Sequence, residues 1–163
     1  MLILALALTG TVILAAPAAG AAASARVPQG FVGADLSSPL YPTLPPGSRL
    51  DQQLGVMAAS GVENIRVTID WSTAQPYKTW SQVPSGRSTE FTTANGVPTR
   101  WGPIDQLVGL AAFHGLTVLP TVVDAPLWDG LHSHGLGHPI PKTPGPYAAF
   151  MKSLVQRYVP HGS

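Results

Sequence analysis

Three aspartates mark corresponding places along the 163-residue chain. Gly61-Val62 is followed nine positions on by Asp70, and Gly115-Leu116 nine positions on by Asp124. Asp35 closes a shorter run, Gly30-Phe31-Val32-Gly33-Ala34-Asp35. Arg66 and Thr68 alternate with Asp70, so the three share one side of an extended segment, while Ile65, Val67, Ile69 and Trp71 share the other. Aromatic faces at a pocket rim suit stacking on the apolar faces of sugar rings. Four tryptophans, Trp71, Trp80, Trp101 and Trp128, fall near loops or strand ends. Trp71 continues an apolar face and reads as core, which leaves Trp128 as the better pocket residue. An Arg66–carboxylate ion pair of purely structural use, with Asp70 or a neighbour, accounts for the same residues equally simply.

Other chemistry is excluded or weak. Cysteine is absent, so a disulfide framework and a thiolate metal site are impossible. Nine Lys/Arg against eight Asp/Glu give no basic face for nucleic acid. There is no Gly-x-Ser-x-Gly elbow, no Gly-x-Gly-x-x-Gly after a strand and no Walker motif, so neither hydride nor phosphoryl transfer has support and no cofactor is implied. His132, His134 and His138 lie in one Gly-rich stretch near Asp124 and Asp129. No regular element fixes their geometry, and solvated loop histidines explain them better than a metal site does.

The elements that must position these residues follow from apolar spacing. Residues 29–35 read as a short strand. A helix is expected from Ser48 to Gly61, with Asp51 completing a capping-box-like start and Leu50, Leu54, Met57 and Ala58 on one face. Residues 65–71 form the clearest strand. Residues 72–100 read as a long polar loop, and a loop of that length in a compact domain is functional or mobile. A second helix opens at Gly102-Pro103 and ends at Gly115, a third strand covers 117–124, and a last helix starts at Thr143-Pro144. Pro120 cannot donate a ladder hydrogen bond, so the third strand must tolerate one unpaired position. The order β-α-β-α-β-α implies an α/β fold with a parallel sheet, whose ligand site lies at the carboxyl ends of the strands. The polar side of residues 66–70 favours a barrel over a doubly wound sheet, because a central strand between two helix layers is apolar on both faces.

Residues 1–25 are apolar and Ala-rich, ending Ala23-Ser24-Ala25 before the first charge at Arg26. They read as a secretory signal peptide, with 26–163 as the mature part. An uncleaved leader would instead anchor the chain to a membrane.

These segments resemble a known group. Gly30–Asp35, then Asn64-Ile65-Arg66-Val67-Thr68-Ile69-Asp70-Trp71, then Ile104–Val108 through His114–Thr121 resemble the opening third of a clan A glycoside hydrolase, in the style of families 5, 39 and 42. The resemblance implies a partial (β/α)8 TIM barrel, of which about three βα units are present; a whole barrel needs about 250 residues. It implies a carbohydrate substrate, and it places Arg66 beneath the catalytic centre. It also implies a retaining mechanism with two glutamates about 5–5.5 Å apart, at the ends of strands four and seven. Strand four and its Asn-Glu motif would be due where the chain stops at Ser163, so the resemblance places the catalytic pair beyond Ser163. The glutamates at hand are Glu63 and Glu90, and neither matches. The chain is therefore expected to be the front of such an enzyme, inactive alone, with Asp35, Arg66, Asp70, Asp124 and Trp128 as substrate-binding candidates. Three other readings remain open: a small secreted carbohydrate-binding domain without catalysis, a hydrolase using Asp70 and Asp124 after oligomerisation, and a metal-dependent hydrolase built on the His loop.

Overall fold

A computed structural model describes residues 27–36, 49–131 and 139–159. Residues 1–26, the 37–48 segment with Ser48, the 132–138 stretch with His132, His134 and His138, and the last four residues through Ser163 lie outside the described residues. Strand β1 (Gly33–Leu36) leads to helix α1 (Arg49–Ala59), β2 (Asn64–Asp70) and a single turn α2 (Trp71–Ala74). Two 3-10 turns and the strands β3 (Thr92–Ala94) and β4 (Val97–Thr99) precede helix α3 (Gly102–Phe113) and strand β5 (Thr117–Val123). The short strands β6 (Gly130–Leu131) and β7 (Ile140–Pro141) precede helix α4 (Pro144–Tyr158).

Strands β1, β2 and β5 form a parallel sheet in that order. Its two faces differ. Ile65 and Val67 pack with Leu50 and Leu54 of α1 and with Leu107 and Ala111 of α3. Ile69 packs with Ile104 of α3 and with Phe150 and Leu154 of α4. All three long helices therefore cover one face, and the core lies between them and the sheet. The other face carries Asp35, Arg66, Thr68, Leu119 and Thr121 and has no helix over it among the described residues. The fold is mixed α/β with a three-stranded parallel sheet; the sheet does not close on itself.

The expected helices and strands are present with adjusted ends. Gly61 (φ +87°) and Gly115 (φ +70°) stop α1 and α3 in the left-handed region that glycine adopts without a steric penalty. The first strand begins at Gly33 rather than at residue 29, because Gly30 turns the chain (φ +81°) and Glu63 accepts its amide at 2.7 Å. A Cβ on Gly33 would overlap the Asn64 carboxamide, so the strand starts where only glycine fits. The second strand ends at Asp70, and Trp71 opens a helical turn instead of extending the strand.

The 72–100 segment is the larger correction. It is an ordered excursion rather than a loop, with β3 and β4 paired antiparallel around Asn95-Gly96. Both turn residues have positive φ (+49° and +82°), the geometry of a tight primed hairpin turn. Asn95 Nδ2 donates to Ala149 O (2.8 Å) and Ser153 Oγ (2.6 Å), which pins the hairpin to α4.

Pro120 is accommodated by its phase in the ladder. Thr117 N donates to Glu63 O at 3.0 Å, so the odd residues of β5 turn their amides and carbonyls towards β2. Val118, Pro120 and Val122 turn theirs away. The missing proline N–H falls on the outer side, and the β2–β5 ladder runs unbroken from Asn64↔Thr117 to Asp70↔Val123.

Candidate functional site

The open face gathers side chains from all three parallel strands. Arg66 stands at the centre of β2 in register with Asp35 of β1. Its Nη1 donates to Asp35 Oδ2 at 3.1 Å, and its Nε donates to Thr121 Oγ1 of β5 at 3.1 Å. Thr121 is in register with Thr68 rather than with Arg66, so the guanidinium leans towards the carboxyl ends of the strands. Both partners of the ion pair are about half exposed (side chains 52% and 49%), so their remaining hydrogen-bonding positions face solvent. The partner of Arg66 is Asp35 and not Asp70.

Asp70 serves the local backbone. Its Oδ1 accepts from Ser72 Oγ (2.6 Å) and Thr73 N (3.0 Å), and its Oδ2 accepts from Thr73 Oγ1 (2.8 Å). This is N-cap geometry, and it is why α2 starts at Trp71. Asp124 is the matching residue after β5, but its role differs. It takes φ +56°, a region that a non-glycine residue adopts at a cost, and its carbonyl accepts from Ser72 N at 2.8 Å. The ends of β2 and β5 are thereby tied together.

Behind this rim lies a buried polar chain that links three parts of the molecule. Trp71 Nε1 donates to Gln75 Oε1 (2.7 Å), Gln75 Nε2 donates to Thr99 Oγ1 (2.8 Å), and Thr99 Oγ1 donates to Val97 O (3.1 Å). Trp128 Nε1 donates to the Gln75 carbonyl at 2.8 Å. Trp128 is half-buried, edge-on to Trp71 at 5.8 Å between centroids. Trp71 and Trp101 are buried on either side of Phe150, each stacked on it at 5.9 Å.

A cleft of about 280 Å3 opens at the carboxyl end of β5, between the β6–β7 hairpin and the first turn of α4. Trp71, Asp124, Ile140 and Tyr147 are among its walls. In the sequence Tyr147 is legible only as part of the apolar stripe of the last helix; its place in the first turn of α4 brings it to the strand ends. Trp128 is not a wall of this cleft.

Glu63 and Glu90 are both engaged away from the open face. Glu63 accepts from the amides of Gly30 (2.7 Å) and Val32 (3.4 Å). Glu90 pairs with Arg87 through two bonds of 2.8 Å and lies 3.7 Å from Arg100. The hydrogen bond and charge of Arg87 hold the Glu90 carboxyl below the usual carboxylate range. Asp105 of α3 takes Arg157 Nε and Nη2 of α4, both at 2.7 Å, and Tyr158 Oη at 2.7 Å. Burial opposes its charge, but the bonds from Arg157 and Tyr158 outweigh that and hold its carboxyl below the ordinary range. Burial, then the bond to Asp105, pushes the Tyr158 phenol up. These groups brace helices. Those on the open face present hydroxyls and a carboxylate as acceptors and a guanidinium as donor.

Among the described residues no group of His, Asp and Glu side chains is gathered closely enough to hold a metal ion, and no helix is long and apolar enough to cross a membrane. Comparison with protein families, curated proteins and solved structures finds no match to this chain.

Proposed function

We propose that this chain forms the opening three-strand sector of a (β/α)8-barrel glycoside hydrolase, and that its open polar face borders the carbohydrate. The observation that carries the reading is the asymmetry of the sheet. Three parallel strands follow one another in sequence order, with every long helix on one face and the Asp35–Arg66–Thr121 hydrogen-bonded row on the other. A doubly wound sheet buries both faces under helices and makes both apolar; a barrel keeps one face for its interior and its site. The cleft at the end of β5, with Tyr147, Trp71 and Asp124, adds aromatic surface beside a carboxylate at the place where such folds bind ligands. On this reading the chain shapes a substrate site without supplying the acid/base and nucleophile pair, and its 1–25 leader directs export.

The test is a titration of the purified full chain with soluble gluco-, xylo- and manno-oligosaccharides, followed by two-dimensional NMR, beside a hydrolysis assay on aryl glycosides. Shifts confined to the Arg66 guanidinium and the amides of Asp35, Thr121 and Asp124, without hydrolysis, support the reading. A folded chain whose spectrum no oligosaccharide perturbs overturns the carbohydrate part. Hydrolysis by the chain alone overturns the assignment of catalysis to residues outside it.

A further inference from the structure

A polar cleft of about 470 Å3 lies between the 89–92 stretch, the start of α3 and the end of α4, and shares no residue with the open face. Thr89, Glu90, Thr92, Arg100, Asp105 and Arg157 are among its walls. Its charged groups are unequally satisfied. Asp105 takes two bonds of 2.7 Å from Arg157 and a third from Tyr158. Glu90 takes two bonds of 2.8 Å from Arg87. Each carboxylate is thus neutralised by a guanidinium fork of its own. Arg100 is left over. Its nearest charge is Glu90 Oε2, 3.7 Å from its Nε and so beyond hydrogen-bonding distance. Its guanidinium has no hydrogen bond among the described residues. The side chain is only 23% exposed, so the group has given up much of its hydration without a protein acceptor in return. Glu90 cannot close on it without loosening the fork of Arg87. Three guanidiniums here meet two carboxylates, and the surplus positive charge is that of Arg100.

We propose that this cleft binds a small ligand through an oxyanion, held by the Nη1 and Nη2 groups of Arg100. The guanidinium fork matches the paired oxygens of a carboxylate, phosphate or sulfate group. Glu90 approaches Arg100 from the Nε side, which leaves the Nη end for the ligand, and Arg87 offsets the repulsion between Glu90 and the incoming anion. The hydroxyls of Thr89 and Thr92 add uncharged donors in the same cleft. A cationic ligand would meet Arg100 unscreened, and an uncharged one would leave the surplus charge unanswered. The site uses no residue of the open face, so it stands or falls separately from the carbohydrate reading.

The experiment is two-dimensional NMR on the full chain, following the Arg100 Nε–Hε signal and the Trp101 and Gly102 amides. Sodium acetate, phosphate or sulfate replaces sodium chloride at constant ionic strength. The expected result is a saturable shift of these signals with a dissociation constant of about 1 mM, the scale of two charge-assisted hydrogen bonds. Binding should weaken about tenfold or more in Arg100→Gln, and also in Arg100→Lys, which keeps the charge and loses the fork. Saturation by acetate assigns a carboxylate ligand, and saturation by phosphate or sulfate a tetrahedral one; either supports the proposal. Linear shifts no larger than those caused by chloride overturn it. So does saturable binding that Arg100→Gln leaves unchanged. The Arg100 side chain makes no hydrogen bond, so both variants are expected to fold; should neither do so, the titration of the native chain decides alone.

Discussion

Arg66 Nη1 and Asp35 Oδ2 meet at 3.1 Å across neighbouring parallel strands, on the face that no helix covers. An ion pair this open contributes little to stability, about 1 kcal/mol or less. On the proposed function, what the pair contributes is the placement of the guanidinium for a sugar. Arg66→Ala is expected to lower unfolding free energy in urea by no more than about 1 kcal/mol, yet to weaken oligosaccharide binding by about tenfold or more through loss of a charge-assisted donor. Isothermal titration beside urea denaturation separates the two. A loss of several kcal/mol in stability with binding unchanged would make the pair a brace only.

Gln75 has the opposite profile. It is buried, and it joins Trp71, Trp128 and Thr99. Gln75→Ala strips partners from the Trp71 indole and the Thr99 hydroxyl and leaves a cavity, so it should cost about 2–4 kcal/mol. Chemical denaturation gives the magnitude. Faster exchange of the Thr99 amide and the Trp128 indole proton would show that the damage reaches both the β3–β4 hairpin and the segment after β5.

Asp105 ties α3 to α4 and its carboxyl is held below the ordinary aspartate value. A depressed folded-state value contributes stability that is complete above the unfolded value, about 3.9, and is lost as pH falls through the folded one. The stability difference between the native chain and Asp105→Asn should be constant from about pH 7 to pH 5 and shrink below about pH 4. Thermal unfolding at a series of pH values measures it. A difference that grows on acidification would contradict the assignment.

Pro120 leaves the outer edge of β5 one donor short. Pro120→Val restores that donor without touching the β2 ladder. The variant is expected to self-associate at concentrations where the native chain stays monomeric, since an unbroken edge is a template for pairing. Sedimentation velocity at matched concentrations reads the change. Identical profiles would mean that the proline does not guard this edge.

How far the fold was legible depends on the range of the interactions that set it. The apolar stripes of Leu50/Leu54, Ile104/Leu107 and Phe150/Leu154 and the terminal Gly61 and Gly115 are local signals, and they placed the helices. The alternation through Ile65, Val67 and Ile69 likewise placed the central strand and its polar side. The hairpin was also written locally, as Thr92-Thr93-Ala94-Asn95-Gly96-Val97-Pro98-Thr99, an Asn-Gly turn between short β-prone runs, but the surrounding prolines and serines masked it as loop. Asp70 looked like a strand-end acid for the same reason that Asp124 did; only the Ser72-Thr73 pair after it marks a helix cap. Gln75 carried no signal, because beyond Trp71 its partners lie 24 and 53 residues away. Thr121 carried none either, while Asp35 stands out in the sequence as a strand-end acid but reaches Arg66 only once the strands are in register.

The aromatic cluster has an optical consequence. Trp71 and Trp128 cross at 82° with their centroids 5.8 Å apart, close enough for their electronic transitions to couple and to give a paired positive and negative band in the far-ultraviolet circular dichroism. Phe150 lies between Trp71 and Trp101, so the first turn after β2, the start of α3 and the middle of α4 meet in one chromophore assembly. Trp80 stands apart from it, 40% exposed, and acrylamide should quench it first. One spectrum therefore follows the docking of the turn after β2 against the segment after β5, while one quencher titration follows the excursion, each without a label.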